Sequence, residues 1–223
     1  SATLSAWFKA DSLKAADGSS VSAWADSSGN GNNTAQASAA RQPTLQTDEL
    51  NGLPVVRFDG SNDIVSDGDI AALDVGTGDI WLACVFKSTD DSGAQNFFEK
   101  GATSFGLRCL SNGKLEMTLG ATTNTPLQNS GSWSRTEFVL AAASRVSSTC
   151  NGFVNGTAST TTGTTNTTSI DNSSVFDIGA RAVGAGAMTG DIAEILVGGG
   201  TITDELQKVE SYLNDKYAVA TLP

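Results

Sequence analysis

Side chains that carry oxygen alternate along residues 24–33, which read W-A-D-S-S-G-N-G-N-N. Asp26, Ser28, Asn30 and Asn32 occupy every second position, and the two glycines between them allow backbone angles that other residues resist. Carboxylate, hydroxyl and amide oxygens at this density suit a Ca²⁺ ion, and they equally suit a tight turn closed by its own side chains. The residues alone leave both interpretations open.

The nearest pair of acids on a predicted strand is Asp191 and Glu194. Because successive side chains of a strand alternate between its two faces, residues three apart should point in opposite directions. Two such carboxylates cannot flank one glycosidic bond as facing acid and base. The chain also contains no histidine, which excludes His-dependent triads and the usual zinc sites. We therefore expect no catalytic site.

The charge of the chain restricts its partners. Its 223 residues include 13 Lys and Arg against 24 Asp and Glu, a formal net charge of -11. Phosphates and anionic lipids would be repelled, so we expect neither nucleic-acid binding nor binding to an anionic membrane. No apolar run reaches the ~18 residues of a membrane span, and no signal-peptide pattern is visible. Removal of a signal peptide and trimming of an initiator Met are both compatible with Ser1.

The three cysteines are Cys84, Cys109 and Cys150. Each lies in an apolar, strand-like run, where cysteine behaves as a small buried hydrophobe. Their odd number leaves at least one without a disulfide partner, and we expect all three to be free. Free thiols favour a protein that is assembled in a reducing compartment.

Short apolar runs separated by turn signals predict an all-β domain of about a dozen strands. The predicted strands are residues 3–9, 21–25, 34–39, 53–58, 79–87, 96–100, 105–110, 114–119, 136–144, 149–154, 175–180 and 191–197. The segment 79–87 is apolar on both faces and should be a central strand. Residues 59–79 are rich in aspartate and predict a long loop with one turn of helix. Asn-Gly pairs at 112–113, 151–152 and 155–156, and Asn-Ser-Gly at 129–131, predict turns.

One helix is predicted, over residues 203–217 at the end of the chain. Thr203 is a suitable N-cap, and the following Asp204 and Glu205 place acids where the helix dipole favours them. One apolar face is formed by Leu206, Val209, Leu213 and Tyr217. We expect this helix to pack on the sandwich, with its tyrosines used for packing.

Five stretches carry a family resemblance in a fixed order along the chain. They are W-F-K-A-D at 7–11, W-A-D-S-S-G-N-G-N-N at 24–33, N-G-L-P-V-V-R-F-D-G at 51–60, G-D-I-A-E-I-L-V at 190–197 and Q-K-V-E-S-Y-L-N-D-K-Y at 207–217. The chain resembles the concanavalin A-like, laminin-G-type jelly rolls of bacterial and phage surface proteins. The resemblance implies an all-β sandwich of two curved antiparallel sheets with one C-terminal α-helix, forming a single domain over residues 1–223.

The same resemblance implies one structural Ca²⁺ between the early loop and an acid on the late strand. The ligands would be Asp26, Asn30, Asn32 and Glu194. An EF-hand is excluded because the twelfth residue counted from Asp26 is Ala37. The acids of residues 59–79 are a second, weaker candidate, and a loop without an ion remains the alternative.

For function, the resemblance favours a non-catalytic, surface-displayed binding or adhesion module that recognises a glycan or a glycan-coated partner. The alternative is a structural virion protein, such as a phage capsid decoration or a tail or fibre component, present in repeated copies. A glycoside hydrolase is the third and least favoured hypothesis. We expect the four tryptophans to serve the core, so the sequence assigns no ligand-binding residue. The protein would lie on an extracellular surface or a virion, and it could be a homo-oligomer.

Overall fold

Two antiparallel sheets and one helix make up the described part of the chain. The computed structural model describes residues 1–89, 93–101, 104–111, 114–120, 133–159, 164–181, 186–202 and 204–219. The strands are β1 (Thr3–Lys9), β2 (Ala23–Trp24), β3 (Thr34–Ala35), β4 (Thr44–Leu50), β5 (Leu53–Asp59), β6 (Val65–Ser66), β7 (Ile80–Ser88), β8 (Gln95–Lys100), β9 (Phe105–Cys109), β10 (Leu115–Leu119), β11 (Val139–Val146), β12 (Thr149–Val154), β13 (Thr157–Ala158), β14 (Thr164–Thr165), β15 (Phe176–Ile178) and β16 (Thr189–Gly199). The helix is α1 (Asp204–Tyr217), and short 3₁₀ helices span Ala10–Ser12, Ala39–Arg41 and Ala71–Leu73.

The strands form two sheets. Sheet A runs in the order β13-β12-β11-β7-β16-β5-β4, with β1 also paired to β16 and β14 to β12. Sheet B runs in the order β10-β9-β8-β15-β6-β3-β2. The pairings between these strands are antiparallel. The predicted all-β sandwich is thereby confirmed.

Apolar side chains on the facing sides of the two sheets form the main core. Phe86 of sheet A stacks on Phe97 of sheet B with ring centroids 4.0 Å apart. Phe8 and Phe176 make a second contact between the sheets, at 6.0 Å. Aromatic pairs of this kind contribute about 1 kcal/mol beyond the area they bury. Strand β7 is buried along almost its whole length, as predicted for a central strand.

Helix α1 covers the outer face of sheet A, which is called the helix face below. Leu206, Leu213 and Tyr217 are buried there in a second apolar cluster with Trp81 and Val85 of β7. The predicted helix is confirmed, while its predicted N-cap, Thr203, lies outside the described residues. No helix within the described ranges is long and apolar enough to cross a membrane.

The hairpin turns correct one sequence prediction. Asn151 and Gly152 lie inside β12, where they pair with β11, and do not form a turn. The chain reverses four residues earlier, at Ser147 and Ser148, whose φ angles of 47° and 68° suit a two-residue hairpin of type I′. The Asn-Gly pair at 155–156 does form a turn, between β12 and β13. The turns predicted at 112–113 and 129–131 lie outside the described residues.

Strand β4 was not predicted, because its sequence T-L-Q-T-D-E-L is mostly polar. It is the edge strand of sheet A and pairs with β5 alone among the described strands. Edge strands tolerate charged and polar residues, which hinder pairing with other chains. The predicted loop at 59–79 contains the short strand β6 and the 3₁₀ turn Ala71–Leu73.

All three cysteines are free and buried, as predicted. Burial raises the pKa of the Cys84 and Cys109 thiols. Their thiolates are therefore scarce at neutral pH, so these residues act as core side chains and not as nucleophiles.

A carboxyl group lies on the buried side of the helix. Glu210 is 3% exposed, and its Oε1 has no hydrogen-bond partner. Because burial disfavours the charged form, the pKa of Glu210 is raised from 4.5 to about 7. The folded protein thus binds this proton more tightly than the unfolded chain. The resulting stability is complete below about pH 4.5 and is lost as the pH rises through 7.

We predict that Glu210→Gln removes this part of the pH dependence, because glutamine mimics the neutral acid. Chemical denaturation should give similar free energies of unfolding for the parent and the variant at pH 5, and a more stable variant at pH 8. The matched control is Asp215→Asn, at an exposed position of the same helix. Equal pH profiles for the parent and Glu210→Gln would contradict the prediction.

Candidate functional site

The Asp26 carboxylate is surrounded by hydrogen-bond donors from its own loop and from β1. Its Oδ1 accepts the main-chain N–H groups of Trp7 at 2.9 Å and Ser28 at 2.8 Å. Its Oδ2 accepts the Ser28 hydroxyl at 2.7 Å and the main-chain N–H of Asn32 at 3.1 Å. The loop is therefore closed by Asx and Ser hydrogen bonds, the pattern expected of a turn.

The two predicted asparagine ligands fasten this loop to β1. Asn30 Nδ2 donates to the carbonyl oxygens of Leu4 at 2.8 Å and Ser5 at 3.0 Å. Asn32 Nδ2 donates to the same Ser5 carbonyl at 2.8 Å. Both amides thus bridge the loop to the first strand.

Glu194 lies on β16 and is completely buried. Its Oε1 accepts the Trp7 indole N–H at 2.5 Å and the Tyr212 hydroxyl at 3.0 Å. Its Oε2 accepts the Lys216 ammonium at 2.7 Å and the Tyr217 hydroxyl at 2.8 Å. Burial beside this carboxylate raises the pKa of both tyrosines, which keeps their hydroxyls protonated as donors. These four groups, from β1 and α1, are called the Glu194 clamp below.

The structure does not bring Asp26 and Glu194 together. Strand β1 separates them, since Phe8 pairs with Asp26 on one side and with Ile195 of β16 on the other. An ion at Glu194 would have to displace an ammonium and three other donors, so Glu194 does not fit as a calcium ligand opposite Asp26. Across the described residues, no three acidic or cysteine side chains are grouped to hold a metal. Calcium binding by the Asp26 loop alone stays a prediction, which melting with and without millimolar Ca²⁺ tests.

A β-bulge corrects the prediction that Asp191 and Glu194 face opposite sides. The register of β16 against β7 shifts between Ile192 and Glu194, so Ala193 is an extra residue. Ile192 points into the main core, while Asp191 and Glu194 both reach side chains on the helix face. Because of this extra residue, Asp191 and Glu194 lie on the same face of the sheet although they are three positions apart.

A cleft opens where β5 and β7 end and β16 begins. Its volume is about 540 Å³. The charged lining residues are Arg57, Asp59, Asp63, Lys87 and Asp191. Uncharged polar lining comes from Gln42, Thr44, Thr89 and Thr189. Sequence reasoning did not find this cleft, because its residues come from four strand ends that only the sheet order brings together.

Asp191 organises the cations of the cleft. Its side chain is 1% exposed, and its two oxygens accept Arg57 Nε at 2.6 Å and Lys87 Nζ at 2.8 Å. A further ion pair joins Arg57 Nη2 to Glu49 at 3.1 Å. The hydrogen bond and charge of Asp191 raise the pKa of Arg57. A buried acid that holds two cations fixes their positions at the cleft wall.

Two further acids, Asp59 and Asp63, supply acceptors in the lining of the cleft. Asp59 is exposed, and its Oδ1 accepts the main-chain N–H groups of Ser61 and Asn62. Asp63 accepts the main-chain N–H of Asp59 at 2.9 Å through Oδ2. Burial, together with the charge of Asp59, raises the pKa of Asp63. The cleft therefore presents both donors and acceptors in its lining.

We predict that Glu194→Gln destabilises the protein by about 3 kcal/mol, because it leaves the donors of the Glu194 clamp without their anion. Urea denaturation measures the change, and Asp215→Asn on the exposed side of α1 is the control. If the free energy of unfolding falls by less than about 0.5 kcal/mol, as for ordinary surface substitutions, the Glu194 clamp does not stabilise the fold as we predict.

Solved structures with this fold include several carbohydrate-related proteins. Domain 4 of AbnA, a GH43 extracellular arabinanase from Geobacillus stearothermophilus, in complex with arabinotriose, is 14% identical with a TM-score of 0.65, covering 94% of this chain and 98% of that one. The Ruminococcus gnavus IT-sialidase CBM40 bound to α2,3-sialyllactose is 17% identical with a TM-score of 0.54, covering 70% and 95%. Trypanosoma rangeli sialidase is 15% identical with a TM-score of 0.60, covering 98% and 33%. The present chain thus spans 33% of the sialidase chain. At these identities the likeness shows a shared fold.

No curated protein sequence matches the chain. A family model does match, and it extends over residues 59–205, about two thirds of the chain. This match includes the strands β6 to β16 and the first residues of α1. The chain therefore belongs to the Laminin_G_3 family of the concanavalin A-like lectin/glucanases superfamily.

Proposed function

We propose that this protein is a non-catalytic glycan-binding module displayed on an extracellular surface, and that the cleft beside Asp191 is its binding site. The observation that carries the proposal is the pair of cations, Arg57 and Lys87, held at the cleft wall by a buried carboxylate. Family membership and structural neighbours solved with arabinotriose or sialyllactose support the ligand class. One neighbour is a domain of an extracellular enzyme, which supports a surface location.

The polar lining of the cleft matches the chemistry of a sugar. Each sugar hydroxyl can donate one hydrogen bond and accept others, so a site with both kinds of partner satisfies it. Arg57 and Lys87 donate, Asp59 and Asp63 accept, and the threonine hydroxyls can do both. The cleft volume of about 540 Å³ lies in the usual range of ligand sites, roughly 300–1,000 Å³.

The charge balance favours a neutral glycan. Three of the five charged lining residues are acids, and Glu49 also pairs with Arg57. The chain as a whole carries -11. An acidic sugar would meet net negative charge, whereas a neutral one avoids that repulsion.

The partners of Asp191 and Glu194 argue against hydrolysis by this pair of acids. A retaining or inverting glycosidase needs one carboxyl group as acid and another as nucleophile or base. Asp191 is ion-paired with two cations, and Glu194 accepts four donors. Neither group is available to a glycosidic bond, although the bulge places both on one face.

We predict that the protein retains neutral oligosaccharides on a glycan array and that Asp59→Asn weakens this binding about tenfold. The substitution removes a charged acceptor, worth about 1.4 kcal/mol, while its amide oxygen can still close the loop. Calorimetric titration of the best array ligand measures the change.

Asp48→Asn is the matched control, because Asp48 is exposed on β4 and does not line the cleft. Absence of any retained glycan would contradict glycan binding. Unchanged affinity in Asp59→Asn would contradict the cleft as its site. Release of reducing sugar from the bound glycan would contradict the non-catalytic role.

A further inference from the structure

An aromatic side chain of α1 is exposed on the helix face. Tyr212 is 38% exposed, and Val175 at 44% is the other large hydrophobic residue that is exposed among those described. The sequence predicted both helix tyrosines as packing residues. That interpretation holds for Tyr217, which is 1% exposed, whereas Tyr212 keeps more than a third of its surface exposed.

The Tyr212 ring is held in place by two contacts. Its hydroxyl donates to Glu194 Oε1 at 3.0 Å. Its ring packs edge-on against Trp7, with centroids 6.1 Å apart and an interplanar angle of 78°. The Trp7 indole donates to the same Glu194 oxygen. One buried carboxylate therefore orients both rings, so little conformational entropy would be lost when a ligand contacts them.

Charged groups surround the two rings. Lys9 Nζ lies 4.2 Å from the Trp7 ring centroid and covers one face of that ring. Lys216 pairs with Asp11 at 3.0 Å as well as with Glu194. Lys216 Nζ also lies 5.9 Å from the Tyr212 ring centroid, on one side of that ring. The rim thus offers both donors and an acceptor, and the other side of the Tyr212 ring is the candidate contact surface.

We propose that Tyr212, supported by Trp7, is an aromatic platform for the apolar face of a neutral sugar ring. The C–H groups on one side of a sugar ring pack on an aromatic face, and the hydroxyls at its edge reach polar groups around it. Two rings form too small an apolar surface for a stable protein interface, which usually buries at least about 1,000 Å². The net charge of -11 on the chain also disfavours an anionic lipid surface.

This platform takes its ligand class from the proposed function but uses other residues than the cleft. Both sites lie along the helix face of β16, one organised by Asp191 and the other by Glu194. Because of the bulge, Asp191 pairs with Lys87 and Glu194 with Val85, so the two acids lie two residues of β7 apart, roughly 7 Å. An oligosaccharide of a few units can reach across such a spacing, and either site can also act alone.

The test compares Tyr212→Leu with Tyr212→Phe. Both variants lose the hydroxyl bond to Glu194, so the difference between them isolates the aromatic ring. Arabinotriose, cellotriose and mannotriose are titrated as neutral probes by calorimetry, with 3′-sialyllactose as the acidic probe. We expect Tyr212→Leu to bind the best neutral probe about tenfold more weakly than Tyr212→Phe, at equal melting temperatures. Val175→Ala, at the other exposed apolar position, should bind as the parent does.

The outcomes separate the platform from the cleft. Equal affinities of Tyr212→Leu and Tyr212→Phe would overturn the platform. If, in addition, Asp59→Asn binds the probe more weakly than the parent, the cleft is still supported as the binding site. A loss in Tyr212→Leu with unchanged affinity in Asp59→Asn would support the platform and overturn the cleft. Failure of the parent to bind any neutral probe would overturn both, and preference for 3′-sialyllactose would overturn the neutral ligand class.

Discussion

Burial of the Glu194 carboxylate is the constraint on which the helix face depends. A buried carboxylate is costly unless charged and polar partners replace water, and here those partners come from both ends of the sequence. Trp7 belongs to the first strand, and Tyr212, Lys216 and Tyr217 belong to the last helix. The helix is therefore attached by directional hydrogen bonds as well as by apolar packing, and its rotation on the sheet is specified.

The same strand carries a second buried acid in a different electrostatic setting. Asp191 is balanced by two cations, whereas Glu194 is balanced by one cation and three neutral donors. In both cases a buried carboxylate orients side chains that are partly exposed to solvent, such as Arg57 beside Asp191 and Tyr212 beside Glu194. A binding surface of this kind is held by the layer beneath it, which limits the entropy lost when a ligand binds.

The regular parts of the molecule were predictable, since short apolar runs between turn signals marked strands such as β1 and β5, and the helical period marked α1. What failed depended on sheet geometry. Strict alternation along β16 placed Asp191 and Glu194 on opposite faces of the sheet. They share one face because Ala193 is an extra residue in a bulge that no sequence signal marks. Polar β4 is held by β5 and by hydrogen bonds from residues 18–21, which are remote in sequence from β5. The cleft likewise unites strand ends far apart in sequence. The partners of Glu194 are up to 187 residues away, and local patterns carry no information on such contacts.

The pairing of β1 with β16 has a consequence for how the chain folds. These strands are matched from Thr3 with Gly199 to Lys9 with Glu194, so the closing contact of sheet A joins residues nearly 200 positions apart. Contacts of such high sequence separation slow folding, because a long loop must be ordered first. During synthesis the first strand is made early, and its partner emerges only after most of the domain. Until then the edge of β1 that faces β16 is unpaired, and an exposed strand edge of this kind makes a nascent chain prone to association.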